Sequence, residues 1–184
     1  KLYALDATDG SKKWEFEVGG GIASTPLIDD NTVYIGSFDR HLYAVDVTDG
    51  SLRWRTKFEA GSWFWAKPIA YNNVIYAGCL DHKVYALDAK TGHKINEFDL
   101  GSPISSSPVL VDSSIIIVSE EGKVYALDTS SNQTRQLADL EEKVYASLGA
   151  SDGVVYVHTH KHDTLYALNA QTGVTLWSLP LSSK

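Results

Sequence analysis

The chain has 184 residues, of which 43% are apolar and 21% are charged, proportions that are ordinary for a globular protein. Its formal net charge of -7 and its scattered Lys and Arg residues argue against a nucleic-acid partner, whose phosphates require a basic surface. The single cysteine, Cys79, excludes an intrachain disulfide. No apolar stretch reaches the roughly 20 residues of a membrane-spanning helix.

From its first residues onward the chain carries an internal repeat. The repeated segment is LYALD at Leu2, LYAVD at Leu42, VYALD at Val84, VYALD at Val124 and LYALN at Leu165, at offsets of 40, 42, 40 and 41 residues. Each unit contains short apolar runs separated by turn residues, without helical periodicity. Four short strands repeated about every 40 residues are typical of propeller blades. The sequence therefore predicts an all-β fold, a β-propeller of four-stranded antiparallel blades.

The predicted blades divide residues 1–184 into a single propeller segment. We predict a partial blade at about 1–18, where only the last two strands are present, and complete blades at about 22–58, 64–99, 103–140 and 144–181. In the first complete unit the strands are expected near Ile22–Ile28, Thr32–Ser37, His41–Val47 and Leu52–Phe58. The chain opens inside a repeat, so we expect its natural beginning to lie upstream. Four blades and a part make a partial ring, which would expose inter-blade faces and favours self-association or completion by missing blades.

A second pattern, A-x-D-x-x-x-G-x-x-x-W, keeps step with the repeat. It is matched by Ala4, Asp6, Gly10 and Trp14, by Ala44, Asp46, Gly50 and Trp54, and, with Asn169 in the Asp position, by Ala167, Gly173 and Trp177. This pattern resembles the tryptophan-docking motif of the PQQ-like (quinoprotein-type) propeller family, where PQQ is pyrroloquinoline quinone. The third and fourth units depart from it, with Asn96 and Gln136 in the Trp position and Asn132 in the Gly position. The resemblance implies that Trp14, Trp54 and Trp177 are buried against a neighbouring blade, where the turn glycines permit close approach.

The strands expected to line the central channel differ at one place. Ala23-Ser24-Thr25-Pro26 and Ser105-Ser106-Ser107-Pro108 are small and polar, whereas the equivalent stretch of the third unit is Trp65-Ala66-Lys67-Pro68, preceded by Trp63. Tyr145 holds the position of Trp65 in the last unit. Trp65 and Lys67 are therefore candidates for binding a flat anionic ligand by stacking and charge. The alternative is that Trp63 and Trp65 only fill the channel.

The run HTHKHD places His158, His160 and His162 at alternate positions. On a strand such residues share a face, so His158 and His160 are weak candidates for a metal site. Simple loop variation is the competing interpretation, and we predict no metal. Cys79 aligns with Ser37 and Ser119 and is interpreted as a small buried residue.

The resemblance implies two functions of different kinds. One is a non-catalytic scaffold for protein–protein interaction in envelope protein assembly, similar to the propeller lipoproteins of the outer-membrane β-barrel assembly machinery. The other is a dehydrogenase that oxidises alcohols or sugars with PQQ and calcium; a luminal or extracytoplasmic sensor is a third alternative. Repeats of uniform length leave no room for the insertions of the dehydrogenases, and a single cysteine excludes the disulfide that several of them carry, which favours the scaffold. The resemblance to the scaffold then implies a protein partner, no cofactor and a periplasmic or cell-envelope location.

Overall fold

The computed structural model describes residues 1–55 and 57–182, and every regular element in these ranges is a β-strand. The first two strands, β1 (Leu2–Leu5) and β2 (Lys12–Phe16), form a two-stranded antiparallel sheet, here called the half-blade. None of the described residues belongs to a helix that is long and apolar enough to cross a membrane.

Four antiparallel sheets of four strands follow, and in each of them neighbours in the chain are also neighbours in the sheet. Blade 1 contains β3 (Leu27–Asp29), β4 (Thr32–Gly36), β5 (His41–Asp46) and β6 (Phe58–Glu59). Blade 2 contains β7 (Ile69–Tyr71), β8 (Val74–Gly78), β9 (Lys83–Asp88) and β10 (Lys94–Asp99). Blade 3 contains β11 (Val109–Val111), β12 (Ser114–Val118), β13 (Lys123–Asp128) and β14 (Gln133–Asp139). Blade 4 contains β15 (Gly149–Ser151), β16 (Val154–His158), β17 (Thr164–Asn169) and β18 (Thr175–Pro180). These sheets confirm the predicted all-β fold of propeller blades.

Two-residue turns join the first and second strands of each blade. In blade 1 the turn is Asp30-Asn31, with φ angles of 40° and 59°, and in blade 2 it is Asn72-Asn73, with φ angles of 50° and 61°. Hairpin turns of this length favour positive φ at both positions, because that geometry matches the twist of the strands, and Asn and Asp tolerate it. The turns therefore fix the register, which pairs Asp29 with Thr32 in blade 1.

The apolar core lies between adjacent blades. Leu42 and Trp54 of blade 1, for example, belong to one buried cluster with Ile75 of blade 2 and with Phe64, which precedes β7. Similar clusters join the half-blade to blade 1, blade 2 to blade 3 and blade 3 to blade 4. Because sheets cover both faces of the second strands, those strands are apolar almost throughout, as in β12 (SIIIV). Each blade is thus stabilised by its neighbours.

Two strands of blade 1 are shorter than predicted. The inner strand covers only Leu27–Asp29, because residues nearer the axis turn to the next blade, where the Ser24 hydroxyl donates to the carbonyl oxygen of Ala66 at 2.9 Å. The outer strand covers only Phe58–Glu59, and Leu52 forms an isolated bridge with Val45. Between these two pairings, the chain directs Trp54 towards blade 2.

Candidate functional site

Two of the motif tryptophans reach across a blade boundary in the same way. The indole Nε1–H of Trp54 donates to the carbonyl oxygen of Ala89 in blade 2 at 2.9 Å, and the Trp54 side chain is almost fully buried, with 1% of its surface exposed. The indole of Trp14 donates to the carbonyl oxygen of Val47 in blade 1 at 2.8 Å. A buried indole needs a hydrogen-bond partner, and here the neighbouring backbone provides it.

The glycine that each tryptophan meets belongs to the following repeat. A β-carbon at Gly50 would lie 2.8 Å from the ring of Trp14, and one at Gly92 would lie 2.6 Å from the ring of Trp54. Gly92 was missed in the sequence motif, although the turn Lys90-Thr91-Gly92 aligns with the other turns. The sequence motif also includes Gly10, whose φ is 74°. A β-carbon added there would have no atom of the described residues within 4 Å.

Burial is the wrong expectation for Trp177, which is 46% exposed. It lies on β18, and within the described residues no later blade follows to cover it. Gly173 meets backbone rather than an indole, since a β-carbon there would lie 2.1 Å from the carbonyl oxygen of Leu137. This boundary carries Gln136 in the Trp position.

The aspartates of the motif shape the turns that follow the third strands. Their side chains accept the backbone N–H two residues further on: Asp6 from Thr8 at 2.8 Å, Asp46 from Thr48 at 2.7 Å, Asp88 from Lys90 at 3.1 Å and Asp128 from Ser130 at 2.9 Å. Backbone hydrogen bonds are the main cause of the lowered pKa of Asp6 and of Asp128. This geometry is the Asx turn, a structural use of the carboxylate.

The same two loops of every blade lie on one surface of the partial ring, and we call this surface the mouth. In each blade the loop between the second and third strands is tied to the segment that precedes the first strand. The backbone N–H groups of Phe38, Leu80, Glu120 and His160 donate to the carbonyl oxygens of Gly21, Trp63, Pro103 and Lys143 at 2.9, 3.0, 2.8 and 2.8 Å. The repeat therefore places equivalent side chains of successive blades next to one another at the mouth.

Exposed aromatic side chains are concentrated at the mouth. The ring of Phe38 stacks on Trp63 with centroids 4.9 Å apart, and on Trp65 with centroids 5.2 Å apart. On the far side, Tyr145 meets the ring of His160 edge-on at 5.4 Å. Trp65 and Tyr145 are 45% and 48% exposed, although aromatic residues of this size are usually well buried.

A cavity of about 310 Å³ separates the two aromatic groups. It is lined by Trp65, Leu80, Ser105, Glu120 and Tyr145. Lys67 is not among these lining residues. Its side chain is exposed, and its backbone N–H donates to the Ser107 hydroxyl at 3.0 Å. The lining of the cavity beside Trp65 thus includes the acidic residue Glu120 and does not include Lys67. Sequence reasoning missed Glu120 and Leu80, which aligning the second loop of each unit would have found.

The three histidines do not converge. His158 Nε2 lies 2.7 Å from Asp163 Oδ1, His162 Nδ1 lies 2.7 Å from Glu142 Oε1, and the ring of His160 contacts Tyr145. The alternation required a continuous strand, but β16 ends at His158. The described residues contain no group of three or more side chains placed to hold a metal ion.

Comparisons with known proteins agree with this geometry. The profile of the family described as outer membrane protein assembly factor BamB matches residues 1–106 and 80–184. The crystal structure of BamB from Moraxella catarrhalis has a TM-score of 0.81 and 23% identity, over 96% of this chain and 54% of that chain. A quinohemoprotein alcohol dehydrogenase, ADHIIG from Pseudomonas putida HK5, has a TM-score of 0.75 and 17% identity, over 90% and 35%.

A computationally designed protein, Ika4, has a TM-score of 0.71 and 17% identity, over 83% of this chain and 93% of that chain. A search of curated protein sequences finds no significant match. The chain spans about half the length of the BamB structure, and the likeness to these three structures shows the fold. Because the family profile covers the whole sequence, the chain belongs to the PQQ-like propeller family described as outer membrane protein assembly factor BamB.

Proposed function

We propose that this chain is part of a non-catalytic propeller scaffold that binds protein partners during protein assembly in the cell envelope. The observation that carries the proposal is the match of the BamB family profile along the whole sequence. Half-exposed aromatic side chains at the mouth add a physical reason, since Trp and Tyr are enriched at protein–protein interfaces. An extracytoplasmic location follows from the same proposal.

The main alternative is a PQQ-dependent dehydrogenase, because one similar structure is a quinohemoprotein alcohol dehydrogenase. PQQ is a flat anion, so a site for it needs an aromatic platform with basic groups around it. Trp65 offers the platform, but the charged residue in the lining of the adjoining cavity is an acidic one, Glu120. Lys67 lies outside that lining. These residues do not fit the anion, and we propose that the chain binds no PQQ.

We also propose that the isolated chain associates with further copies or with further blades. The half-blade exposes Tyr3 and Leu5, and blade 4 exposes Leu179, whereas the equivalent side chains between blades are buried, Phe98 among them. Sedimentation equilibrium at about 100 μM should show association, weakened in the Leu179→Glu variant. Ile28→Glu is the control, because Ile28 is exposed on β3. A folded monomer at that concentration would contradict this.

Photo-crosslinking of the full-length protein in its own cells tests the scaffold proposal. A photoreactive residue is placed at the mouth, at position 63, and at a turn far along the blade, at position 48. The expected result is a defined crosslink to a protein of the outer-membrane assembly pathway from at least one position. The proposal fails if a folded, normally abundant protein yields no crosslink to such a protein from either position.

A further inference from the structure

We propose that the mouth cavity between Trp65 and Tyr145 binds a planar cation, the guanidinium group of an arginine carried by a protein partner. The inference rests on the proposed scaffold function for the existence of a partner. The chemistry of the cavity, in contrast, follows from its own lining. Three independent features of that lining point to the same ligand.

The first feature is a gap in a row of aromatic side chains. Trp65, Ser105 and Tyr145 hold the same repeat position in blades 2, 3 and 4, so successive blades present an aromatic, a small and an aromatic side chain. The small Ser105 leaves the cavity of about 310 Å³ open between the two rings. Phe38 stacks on Trp65 with an angle of 20° between the rings, which holds the indole in place. A flat group entering the gap meets a preorganised ring.

The second feature is the charge at the gap. Aromatic faces attract cations, and the charged residue in the same lining is the acidic Glu120. A guanidinium group combines a flat face for the ring with N–H donors for a carboxylate, whereas an ammonium group has no flat face. Glu120 would repel an anion. The net charge of the chain, -7, acts in the same direction at longer range.

The third feature is an unpartnered hydroxyl group. Ser105 is 9% exposed, and its Oγ has no hydrogen-bond partner among the described residues. Its neighbour Ser106 differs, because the Ser106 hydroxyl donates to the carbonyl oxygen of Ala146 at 2.7 Å. A buried hydroxyl without a partner is costly. The Ser105 Oγ is covered in the free chain, so a guanidinium N–H would become its partner only by displacing the atoms that cover it. Ser105 therefore brings an unpartnered hydroxyl group to the wall of the cavity.

Nuclear magnetic resonance of this chain with a small probe tests the site without any partner. N-acetyl-arginine amide is titrated while the indole N–H signal of Trp65, identified by its loss in Trp65→Phe, is followed. The matched probe is N-acetyl-citrulline amide, which has nearly the same shape without the charge. We expect a saturable shift of the Trp65 signal with the arginine probe. The affinity for the citrulline probe should be weaker by a factor of at least about 5.

Two variants and one control variant assign the site. Glu120→Gln should weaken the arginine probe about 3- to 10-fold, whereas Glu121→Gln, which alters a carboxylate outside the lining, should leave its affinity unchanged. Ser105→Phe fills the gap and should abolish the shift in a chain whose other indole signals are preserved. Equal affinities for the two probes, a Glu120→Gln variant that binds like the parent, or an unmoved Trp65 signal would each overturn the inference. A failed titration beside a successful crosslink would reject this site and leave the scaffold standing.

Discussion

Trp54 approaches Gly92 so closely that a β-carbon on the glycine would lie 2.6 Å from the indole ring. The two residues come from successive repeats, so the tryptophan of one blade requires the glycine of the next. At the following boundary both are replaced, the tryptophan by Asn96 and the glycine by Asn132, which keeps the positive φ at 53°. Asparagine tolerates that backbone conformation but carries a β-carbon. It is acceptable there because no indole needs the space.

Replacing a motif tryptophan by alanine should lower the stability much more at Trp54 than at Trp177. Trp54→Ala should lower the free energy of unfolding by about 3–5 kcal/mol, the range for large aromatic side chains in a core. Trp177→Ala is the matched control and should cost less than about 1 kcal/mol, because nearly half of that side chain is exposed. Chemical denaturation measures both values. Similar losses in the two variants would contradict the dependence on a following blade.

The need for a glycine opposite Trp54 is tested by substituting two glycines that have the same backbone conformation. Gly92 and Gly10 have φ angles of 73° and 74°, but only Gly92 faces an indole. Gly10→Asn should cost at most about 1 kcal/mol, for the backbone alone. Gly92→Asn should cost about 1–3 kcal/mol more, because its β-carbon overlaps Trp54. In the Trp54→Asn, Gly92→Asn double variant that overlap is absent, so its loss should be smaller than the sum of the single losses. Strict additivity would disprove the coupling.

The buried thiol of Cys79 gives a prediction about alkaline pH. Cys79 is fully buried, and burial raises the pKa of its thiol to about 12. In the unfolded chain the thiol has a pKa of about 8.5, so it loses its proton at a lower pH than in the folded chain. The free energy of unfolding is therefore unaffected by this thiol below about pH 8.5 and falls as the pH rises above that value. Between pH 8 and 10 the chain should therefore lose more stability than its Cys79→Ser variant, which has the residue found at Ser37 and Ser119. Thiol reagents should modify Cys79 only as the chain unfolds. Parallel pH profiles, or rapid labelling of the folded chain at pH 8, would contradict this.

The repeat made most of the fold predictable from sequence. Strand number, strand order and hairpin turns follow from local patterns that occur several times, such as Asn72-Asn73 between two apolar runs. The short inner and outer strands did not follow, because Ser24 and Trp54 find their partners in the next blade. Pairings between blades leave no local periodicity.

The site was less predictable for the same reason. Aligning the repeats identified Trp65 and Tyr145 as unusual channel residues, and the structure places both on one cavity. Lys67 is only two residues from Trp65, yet it is outside that cavity, while Glu120, from a different blade, lines it. Sequence proximity predicted a basic residue beside Trp65, whereas the assembled blades bring an acidic residue, Glu120, into the cavity lining.

Titration of the full-length protein with PQQ and calcium tests the central claim, that this propeller is a scaffold without the quinone cofactor. Tryptophan fluorescence reports binding, and a dye-linked assay reports alcohol oxidation. The predicted result is no saturable change with PQQ below about 10 μM, because the Glu120 carboxylate disfavours the anion, and no turnover. Submicromolar binding that disappears in Trp65→Ala, together with turnover, would contradict the scaffold account.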